Sequence, residues 1–144
     1  MKDAIILTGI EILARHGCSE AERKHEQLFI VDAKLYLDLS WAGRSDDLGD
    51  TIDYAVVISE IRTSVTSTSR NLIETVAQEI AEMLLRRYLL LDAVKITIHK
   101  PVPPVKEKFA GAAVEILRKR GENDLLHRAW NKSRRPQKNS PQNT

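Results

Sequence analysis

A lysine at the end of an apolar strand is the residue of this sequence best suited to proton transfer. Residues 93–99 alternate as a β-strand does, and the apolar row of Val94, Ile96 and Ile98 continues by two positions to Lys100. Prolines in the KPVPPV stretch that begins there end the strand and fix the chain. An ammonium at this place either discourages pairing at a strand edge or, when partly desolvated, carries a proton in catalysis.

Three further side chains have a chemical use as well as an ordinary structural one. Glu74 follows Asn71 at capping-box spacing, but a carboxylate in a first helical turn also suits a ligand edge with two adjacent N–H donors, such as that of a guanidine-like heterocycle. Tyr54 begins an earlier helix, where it can pack in the core or stack on a flat ring. Glu22 lies in the charge cluster 20–24, which is typical of a solvated loop.

Composition limits the class of protein. The chain has 144 residues, 42% apolar and 29% charged, as expected for one soluble globular domain. It has no apolar run of the roughly 20 residues that span a membrane, and no secretory signal is expected. The single Cys18 excludes an internal disulfide and suits a reducing cytoplasm. The four histidines lack the spacing of a metal site, so we expect neither metal nor cofactor.

The charge of the chain changes near its end. Residues 118–144 contain eight Lys/Arg and two Asp/Glu, a net +6, whereas the other 117 residues contain 14 basic and 18 acidic groups, a net −4. We therefore predict a domain over residues 1–119 and a basic, mostly disordered tail over residues 120–144, with one amphipathic turn near Asp124–Trp130. Such a tail binds nucleic acid weakly through phosphates, or serves only as a solubilising extension, which is the more ordinary interpretation.

The order of elements predicts an α+β fold. Strands are expected over 4–14 and 28–39, helices from Asp53 and from Asn71, and strands over 93–99 and 111–117. Gly9 suggests a bulge in the first strand, and residues 41–50 are expected to form a polar loop. This β-β-α-α-β-β order predicts a four-stranded antiparallel sheet with both helices on one face. Because its two edges and its other face would be free, the domain is expected to oligomerise.

Five stretches, in this order, resemble the dihydroneopterin aldolase family. They are HG at 16–17, SEAERKHEQLFIVD at 19–32, DLSWAGRSDDLGDTIDYAVV at 38–57, NLIETVAQEIAE at 71–82 and KPVPPV at 100–105. The resemblance extends from about Ile5 to Ile116. It implies the T-fold architecture, in which four subunits join their sheets into a ring barrel and two rings commonly stack into an octamer, with active sites between neighbouring subunits.

The resemblance also implies an activity in folate biosynthesis. Enzymes of this family cleave 7,8-dihydroneopterin by a retro-aldol reaction to 6-hydroxymethyl-7,8-dihydropterin and glycolaldehyde, and often epimerise the substrate at C2′. The N5=C6 imine of the substrate accepts the electrons, so neither a metal nor a Schiff base is needed.

Individual roles follow from the same resemblance. Glu74, with backbone help from Ile73, would hold the 2-amino and N3 positions of the pterin, and Lys100 would be the acid/base. Tyr54 and Glu22 would come from the adjacent subunit, Tyr54 to assist proton transfer and Glu22 to hold polar groups of the substrate.

The sequence departs from the family pattern in two places, and other functions stay open. Leu13-Ala14-Arg15 replaces an aromatic-rich stretch, and Lys106-Glu107-Lys108 replaces a Pro-Gly-His-like turn, which affects how the side chain of the substrate is held.

A dihydroneopterin triphosphate epimerase or another T-fold pterin enzyme is the first alternative function, and Lys106 and Lys108 would suit its triphosphate. A zinc-dependent pyruvoyltetrahydropterin synthase is less favoured, because this sequence lacks the histidine triad of that enzyme. A non-catalytic protein that binds through the basic tail is the third alternative, although nucleic acid is an unlikely partner and no membrane partner is expected.

Overall fold

The sheet of this protein is a four-stranded antiparallel one. The computed structural model describes residues 3–134, apart from the side chains of residues 123–127. The strands are β1 (Ala4–Ala14), β2 (Gln27–Tyr36), β3 (Ala93–Lys100) and β4 (Ala112–Lys119), in the order β1-β2-β3-β4. The helices are α1 (Glu20–Lys24), α2 (Ser40–Ser45), α3 (Tyr54–Thr66), α4 (Ile73–Arg87) and α5 (Glu122–Arg134), with a 3₁₀ turn at Leu48–Asp50. The predicted sheet with two long helices against it is confirmed.

The bulge predicted at Gly9 is confirmed, and it is what makes β1 fit the core. The pairing of β1 with β2 shifts between Leu7 and Ile10, and Gly9 has a φ of +74°. One extra residue reverses the alternation of side chains in a strand. Leu7 before the bulge and Ile10 and Ile12 after it therefore all face the core and are buried.

Helices α3 and α4 cover one face of the sheet, as their apolar spacing predicts. Asp53 caps α3 by accepting a hydrogen bond from the N–H of Ala55 at 2.9 Å. The apolar side chains of both helices and of the central strands are buried together in one core. Its fully enclosed members include Phe29, Val31, Leu35, Ile61, Ile80, Leu84, Ile96 and Ile98.

Three local expectations are wrong. Residues 41–50 are not an unstructured loop but contain α2 and the 3₁₀ turn. Each turn there is ordered by a short-range bond that hydrophobic periodicity does not reveal, such as the one from the N–H of Gly49 to Asp47 at 2.9 Å. Helix α4 begins at Ile73 rather than Asn71, with Leu72 as its cap residue. The charge cluster 20–24 forms the short helix α1.

The first part of the basic tail is also helical. Helix α5 runs over Glu122–Arg134, where disorder was expected. Apolar residues at positions 125, 126, 129 and 130 recur at helical spacing, and this is enough to favour a helix after the glycine at 121. The rest of that expectation concerns residues 135–144, which lie outside the described residues. Within residues 3–134, no helix combines the length and the apolarity needed to cross a bilayer.

Candidate active site

Lys100 and Glu22 form an ion pair on the side of the sheet that carries the helices. Lys100 is the last residue of β3 and continues the buried row of Ile96 and Ile98, as the alternation predicts. Its Nζ donates a hydrogen bond to Oε2 of Glu22. The two side chains are only 14% and 13% exposed. A lysine is thus held, largely away from water, against a carboxylate.

The carboxylate of Glu22 is ionised in this arrangement. Its pKa lies below the ordinary value of 4.5, mainly because Lys100 donates a hydrogen bond to it. Burial opposes that effect, and hydrogen bonds from Ser19 and Gln27 reinforce it. Near neutral pH the site therefore contains a fixed negative charge beside the amine of Lys100.

A capping box places Glu22. Ser19 caps α1, and its Oγ accepts a hydrogen bond from the N–H of Glu22 at 3.2 Å. Oε1 of Glu22 in turn accepts a hydrogen bond from Oγ of Ser19 at 3.1 Å. Gln27, the first residue of β2, donates to Oε2 of Glu22 at 3.4 Å and to the carbonyl of His16 at 2.9 Å. The cap of α1 and the first residue of β2 thus together fix the carboxylate of Glu22.

The expectation that Glu22 comes from the adjacent subunit is wrong. Glu22 reaches Lys100 within one chain, across 78 positions of sequence. The reason is that α1, capped by Ser19, lies beside the end of β3 in the same chain. Gly17 allows this close approach, because a Cβ there would lie 2.3 Å from Cδ of Glu22. A side chain at position 17 would displace the carboxylate.

His16 anchors this loop to the helices. The ring is 2% exposed and lies edge-on to Phe29, with 5.4 Å between ring centroids. The N–H of Arg70 donates to Nδ1 at 2.9 Å, so Nε2 carries the proton and donates to the carbonyl of Val65 at 2.7 Å. The N–H of Gly17 also bonds to the carbonyl of Arg70 at 2.9 Å. The histidine therefore ties the loop that carries Glu22 to the connection between α3 and α4.

We expect the stability of the fold to decrease as pH falls below about 6.5 because of His16. Burial lowers the pKa of His16 from 6.5, although its bond to Val65 opposes this. The folded protein thus keeps the ring neutral while the unfolded chain takes up a proton, which favours unfolding until the folded pKa is also passed. Urea unfolding at about pH 7.5 and about pH 5.5 measures the effect.

The matched control for this prediction is His16→Gln, which has a donor and an acceptor but no titration in this range. The variant is expected to be less stable overall and to lose less stability between the two pH values. An equal loss in both proteins would assign the pH dependence to other groups. Glu22 does not contribute to the change in stability between these two pH values, because the stability that its lowered pKa provides is lost only as pH falls through and below about 4.5.

Glu74 lies at the start of α4 with its carboxylate free. It is exposed and forms no hydrogen bond or ion pair with the other residues in the range 3–134. The alternative that Asn71 and Glu74 form a capping box is wrong, because Asn71 precedes the cap residue and accepts a bond from Arg23 at 3.3 Å instead. Ile73, the first residue of the helix, is half-buried. An acidic residue in the first turn of a helix interacts favourably with the positive end of the helix dipole.

The start of α4 adjoins the loop that carries Glu22. The thiol of Cys18 donates to the carbonyl of Asn71 at 3.5 Å, and Arg23 donates to the carbonyl of Cys18 at 2.6 Å and to Asn71. Glu74 follows three residues later on the first turn of α4. The structure therefore brings Glu22 and Lys100 into contact and places Glu74 on the adjoining helix terminus.

Tyr54 is not brought to this site within one chain. It is the first residue of α3 and 60% exposed, and it has no partner in the part of the chain that the structure describes. Val65, near the other end of α3, is the residue that contacts His16. Eleven helical residues separate the two ends by about 16 Å. Among the described residues, Tyr54 makes no hydrogen bond to Lys100 or Glu22.

Sequence reasoning missed the supports of the site. From the sequence alone, His16 and Gln27 appear only as letters of family motifs and His16 also as a rejected metal ligand, and neither residue is assigned a structural role. A signal existed for His16, since a histidine directly before a glycine at a strand end suggests a specific buried turn. Gln27 gave no such signal. Its two hydrogen-bond acceptors, on His16 and Glu22, come together only when α1 is folded.

Similarity to known proteins identifies the family. The sequence model of FolB, dihydroneopterin aldolase, matches residues 5–117. The chain belongs to the dihydroneopterin aldolase family. It is 37% identical over 124 residues to the dihydroneopterin aldolase of Staphylococcus epidermidis, covering 86% of this chain and 100% of that one. It is 37% identical over 119 residues to dihydroneopterin aldolase 1 of Arabidopsis thaliana, covering 82% of each chain.

A solved structure agrees with this membership. The chain superimposes on Escherichia coli dihydroneopterin aldolase in complex with neopterin with a TM-score of 0.74 and 28% sequence identity, covering 81% of this chain and 99% of that one. The family match covers all four strands and the helices that carry Glu22, Tyr54 and Glu74. The activity is that of an aldehyde-lyase of folate biosynthesis, dihydroneopterin aldolase.

Proposed function

We propose that the enzyme cleaves 7,8-dihydroneopterin at a composite site formed by Lys100, Glu22, Ile73 and Glu74 of one subunit and Tyr54 of its neighbour. The observation that carries this assignment is the ion pair of Lys100 and Glu22 at the edge of the described core. An amine that is 14% exposed and already paired to a carboxylate is placed to exchange protons with a bound substrate rather than with bulk water.

Glu74 binds the pterin ring. The 2-amino group and N3–H of the pterin present two adjacent donors, which match the two oxygens of one carboxylate. Glu74 is suited to this because its carboxylate is exposed and lacks a competing partner among residues 3–134. The backbone of Ile73, in the first turn of α4, supplies a further polar contact.

Lys100 moves the protons of the reaction. The C1′–C2′ bond breaks as the C2′ hydroxyl passes its proton through the hydroxyl of Tyr54 to water, and C2′ becomes the aldehyde carbon of glycolaldehyde. The bonding electrons pass through C1′ and C6 to N5, where Lys100 donates a proton to give an enamine. Protonation at C1′ and loss of the N5 proton then give 6-hydroxymethyl-7,8-dihydropterin. The substrate accepts the electrons, so the residues need only position it and transfer protons.

Glu22 and Tyr54 complete the proposed mechanism. Glu22 holds Lys100 beside N5 and offers its second oxygen to a hydroxyl of the substrate side chain. Tyr54 stacks against the ring and relays a proton through its hydroxyl. Because the enamine can add back to either face of the released glycolaldehyde, the same residues also support epimerisation at C2′.

The active enzyme is an oligomer in this proposal. The sheet order leaves β1 and β4 as edge strands, and edges of this kind are occupied in stable assemblies. Tyr54 needs a neighbouring subunit to reach Lys100. A ring of four subunits, stacked as an octamer, meets both requirements. A cytoplasmic location suits the one cysteine of the chain.

Mixing two inactive variants tests the composite site. Lys100→Ala and Tyr54→Ala subunits, co-expressed with different tags and purified through both, are expected to form 6-hydroxymethyl-7,8-dihydropterin although neither variant does so alone. With random assembly, about one quarter of sites would combine an intact Lys100 with an intact Tyr54. Chromatography of the product from 7,8-dihydroneopterin gives the readout.

The control is co-expression of Lys100→Ala with Glu22→Ala. Lys100 and Glu22 belong to one chain, so a mixed oligomer regains no site that contains both when these variants are paired. Recovery with Glu22→Ala, or no recovery with Tyr54→Ala in a verified mixed oligomer, would contradict the proposed division of residues between subunits. Absence of product from the intact wild-type oligomer would contradict the substrate itself.

A further inference from the structure

Asp32 and His99 form a second polar pair, on the face of the sheet opposite Lys100. We propose that this pair positions Lys100 by fixing the end of β3 from behind. The inference rests on the proposed role of Lys100 as proton carrier. Asp32 and His99 are positioning residues in this proposal, because neither reaches the helix-covered side of the sheet where Lys100 and Glu22 meet.

The pair is itself firmly held. Nε2 of His99 lies 2.7 Å from Oδ2 of Asp32, and Oδ1 of Asp32 accepts the N–H of Gly9 at 2.7 Å. Burial opposes ionisation of Asp32, yet the bonds from Gly9 and His99 outweigh it and lower its pKa. One carboxylate therefore joins the bulge of β1, the middle of β2 and the end of β3.

His99 is the last residue that ties β3 to β2. The pairing of these strands ends at Ile30 and His99, whereas Lys100 pairs only with Ala112 of β4. Gly111 packs closely on the β4 side, because a Cβ there would lie 3.2 Å from the carbonyl oxygen of Lys100. The backbone of Lys100 is thus confined by β4 on one side and by the bond from His99 to Asp32 on the other.

Packing alone does not hold the His99 ring. The ring borders an open cleft of about 420 Å³ whose walls include Thr8, Ile30, Pro101 and Ala113. The His99 side chain is 40% exposed and that of Asp32 is 32% exposed. Since the cleft leaves room for the ring to move, the hydrogen bond is what fixes it. Loss of that bond would let the end of β3, and Lys100 with it, shift by a fraction of an ångström.

The test compares His99→Leu with His99→Gln. Leucine removes the donor, and glutamine keeps an N–H that can reach Asp32. We expect His99→Leu to lower kcat for 7,8-dihydroneopterin roughly tenfold, since misplacements of about 1 Å cost up to 100-fold, and to leave KM within about twofold. His99→Gln is expected to recover most of kcat. Urea unfolding of both variants checks that the fold is intact.

A second measurement does not depend on aldolase activity. The rate at which acetic anhydride acetylates Lys100 is measured by mass spectrometry, with Lys95 of the same strand as internal reference. His99→Leu is expected to raise this rate severalfold because the hydrogen bond from Lys100 to Glu22 is weakened, and His99→Gln is expected to leave it unchanged. If the wild type proves inactive as an aldolase while labelling changes in this way, the positioning role holds and only the proposed function fails.

Three results would overturn the positioning role. The first is a kcat of His99→Leu within twofold of wild type. The second is an equal loss in His99→Gln and His99→Leu, which would show that the ring matters for another reason. The third is a fall in kcat without any change in the labelling of Lys100, because the lysine would then not have moved.

Discussion

Lys100→Ala is expected to lower kcat for the cleavage of 7,8-dihydroneopterin by roughly 100- to 10,000-fold, the range that one positioned acid or base supplies. The reason is that, in the proposed mechanism, the electrons that arrive at N5 need a proton and Lys100 donates it. KM is expected to change much less, because the proposed site binds the pterin ring through Glu74 and not through Lys100. Steady-state rates of product formation, measured by chromatography, give both constants.

The matched control for this variant is Lys95→Ala. Lys95 lies on the same strand, on the opposite face, and pairs with Glu115 at 3.2 Å in an exposed contact. Loss of an exposed pair of this kind costs at most about 1 kcal/mol of stability and should leave kcat unchanged. If Lys100→Ala keeps more than about a tenth of the wild-type kcat, the proton must come from another group.

The stability of Lys100→Ala needs its own control. Removing the amine leaves Glu22, which is 13% exposed, without its main partner, and this costs roughly 1–3 kcal/mol. The pKa of Glu22 then rises, because the hydrogen bond from Lys100 is the largest cause of its lowered value in the wild type. The double variant Glu22→Gln with Lys100→Met removes both charges and is expected to recover stability but not activity. That result separates the chemical role of Lys100 from its structural one.

The parts of the fold that follow from local pattern were predictable from the sequence. β1 has the predicted bounds because a strand and its glycine bulge depend on neighbours within a few residues. The predicted start of α3 at Asp53 is confirmed for the same reason, since the side chain of Asp53 caps this helix. Lys100 ends the apolar row of β3 as alternation requires. Each of these features is decided by period, capping or proline within one element.

The site itself depends on contacts that no local pattern contains. The ion pair joins residues 78 positions apart, and the bond between His99 and Asp32 joins residues 67 positions apart. A cluster of charges over residues 20–24 has the composition of a solvated loop, and only the capping box of Ser19 and the space at Gly17 turn it toward Lys100. The resemblance supplied Glu22 as a residue but placed it on the wrong subunit, because a sequence motif carries no information on which chain closes a site.

The other large expected effect is on ligand affinity. Glu74→Gln is expected to raise the Kd for neopterin about 10- to 100-fold, because a hydrogen bond to a charged group contributes roughly 1.5–3 kcal/mol. Glutamine keeps one oxygen but turns an amide donor toward a donor of the pterin. The fold should lose little, since Glu74 has no partner within residues 3–134 and its favourable place at the start of α4 is worth about 0.3–1 kcal/mol. Fluorescence titration measures the Kd.

Two controls separate recognition of the pterin edge from a general change in charge. Glu82→Gln alters another carboxylate of α4, which accepts a bond from Gln78 at 2.9 Å away from the helix start, and should leave the Kd unchanged. The second control is a ligand with an oxygen in place of the 2-amino group. Because this ligand lacks one of the two donors, it should bind the wild type weakly and lose little more in Glu74→Gln. An equal loss of affinity for both ligands would mean that Glu74 acts through its charge and not by pairing with the 2-amino group.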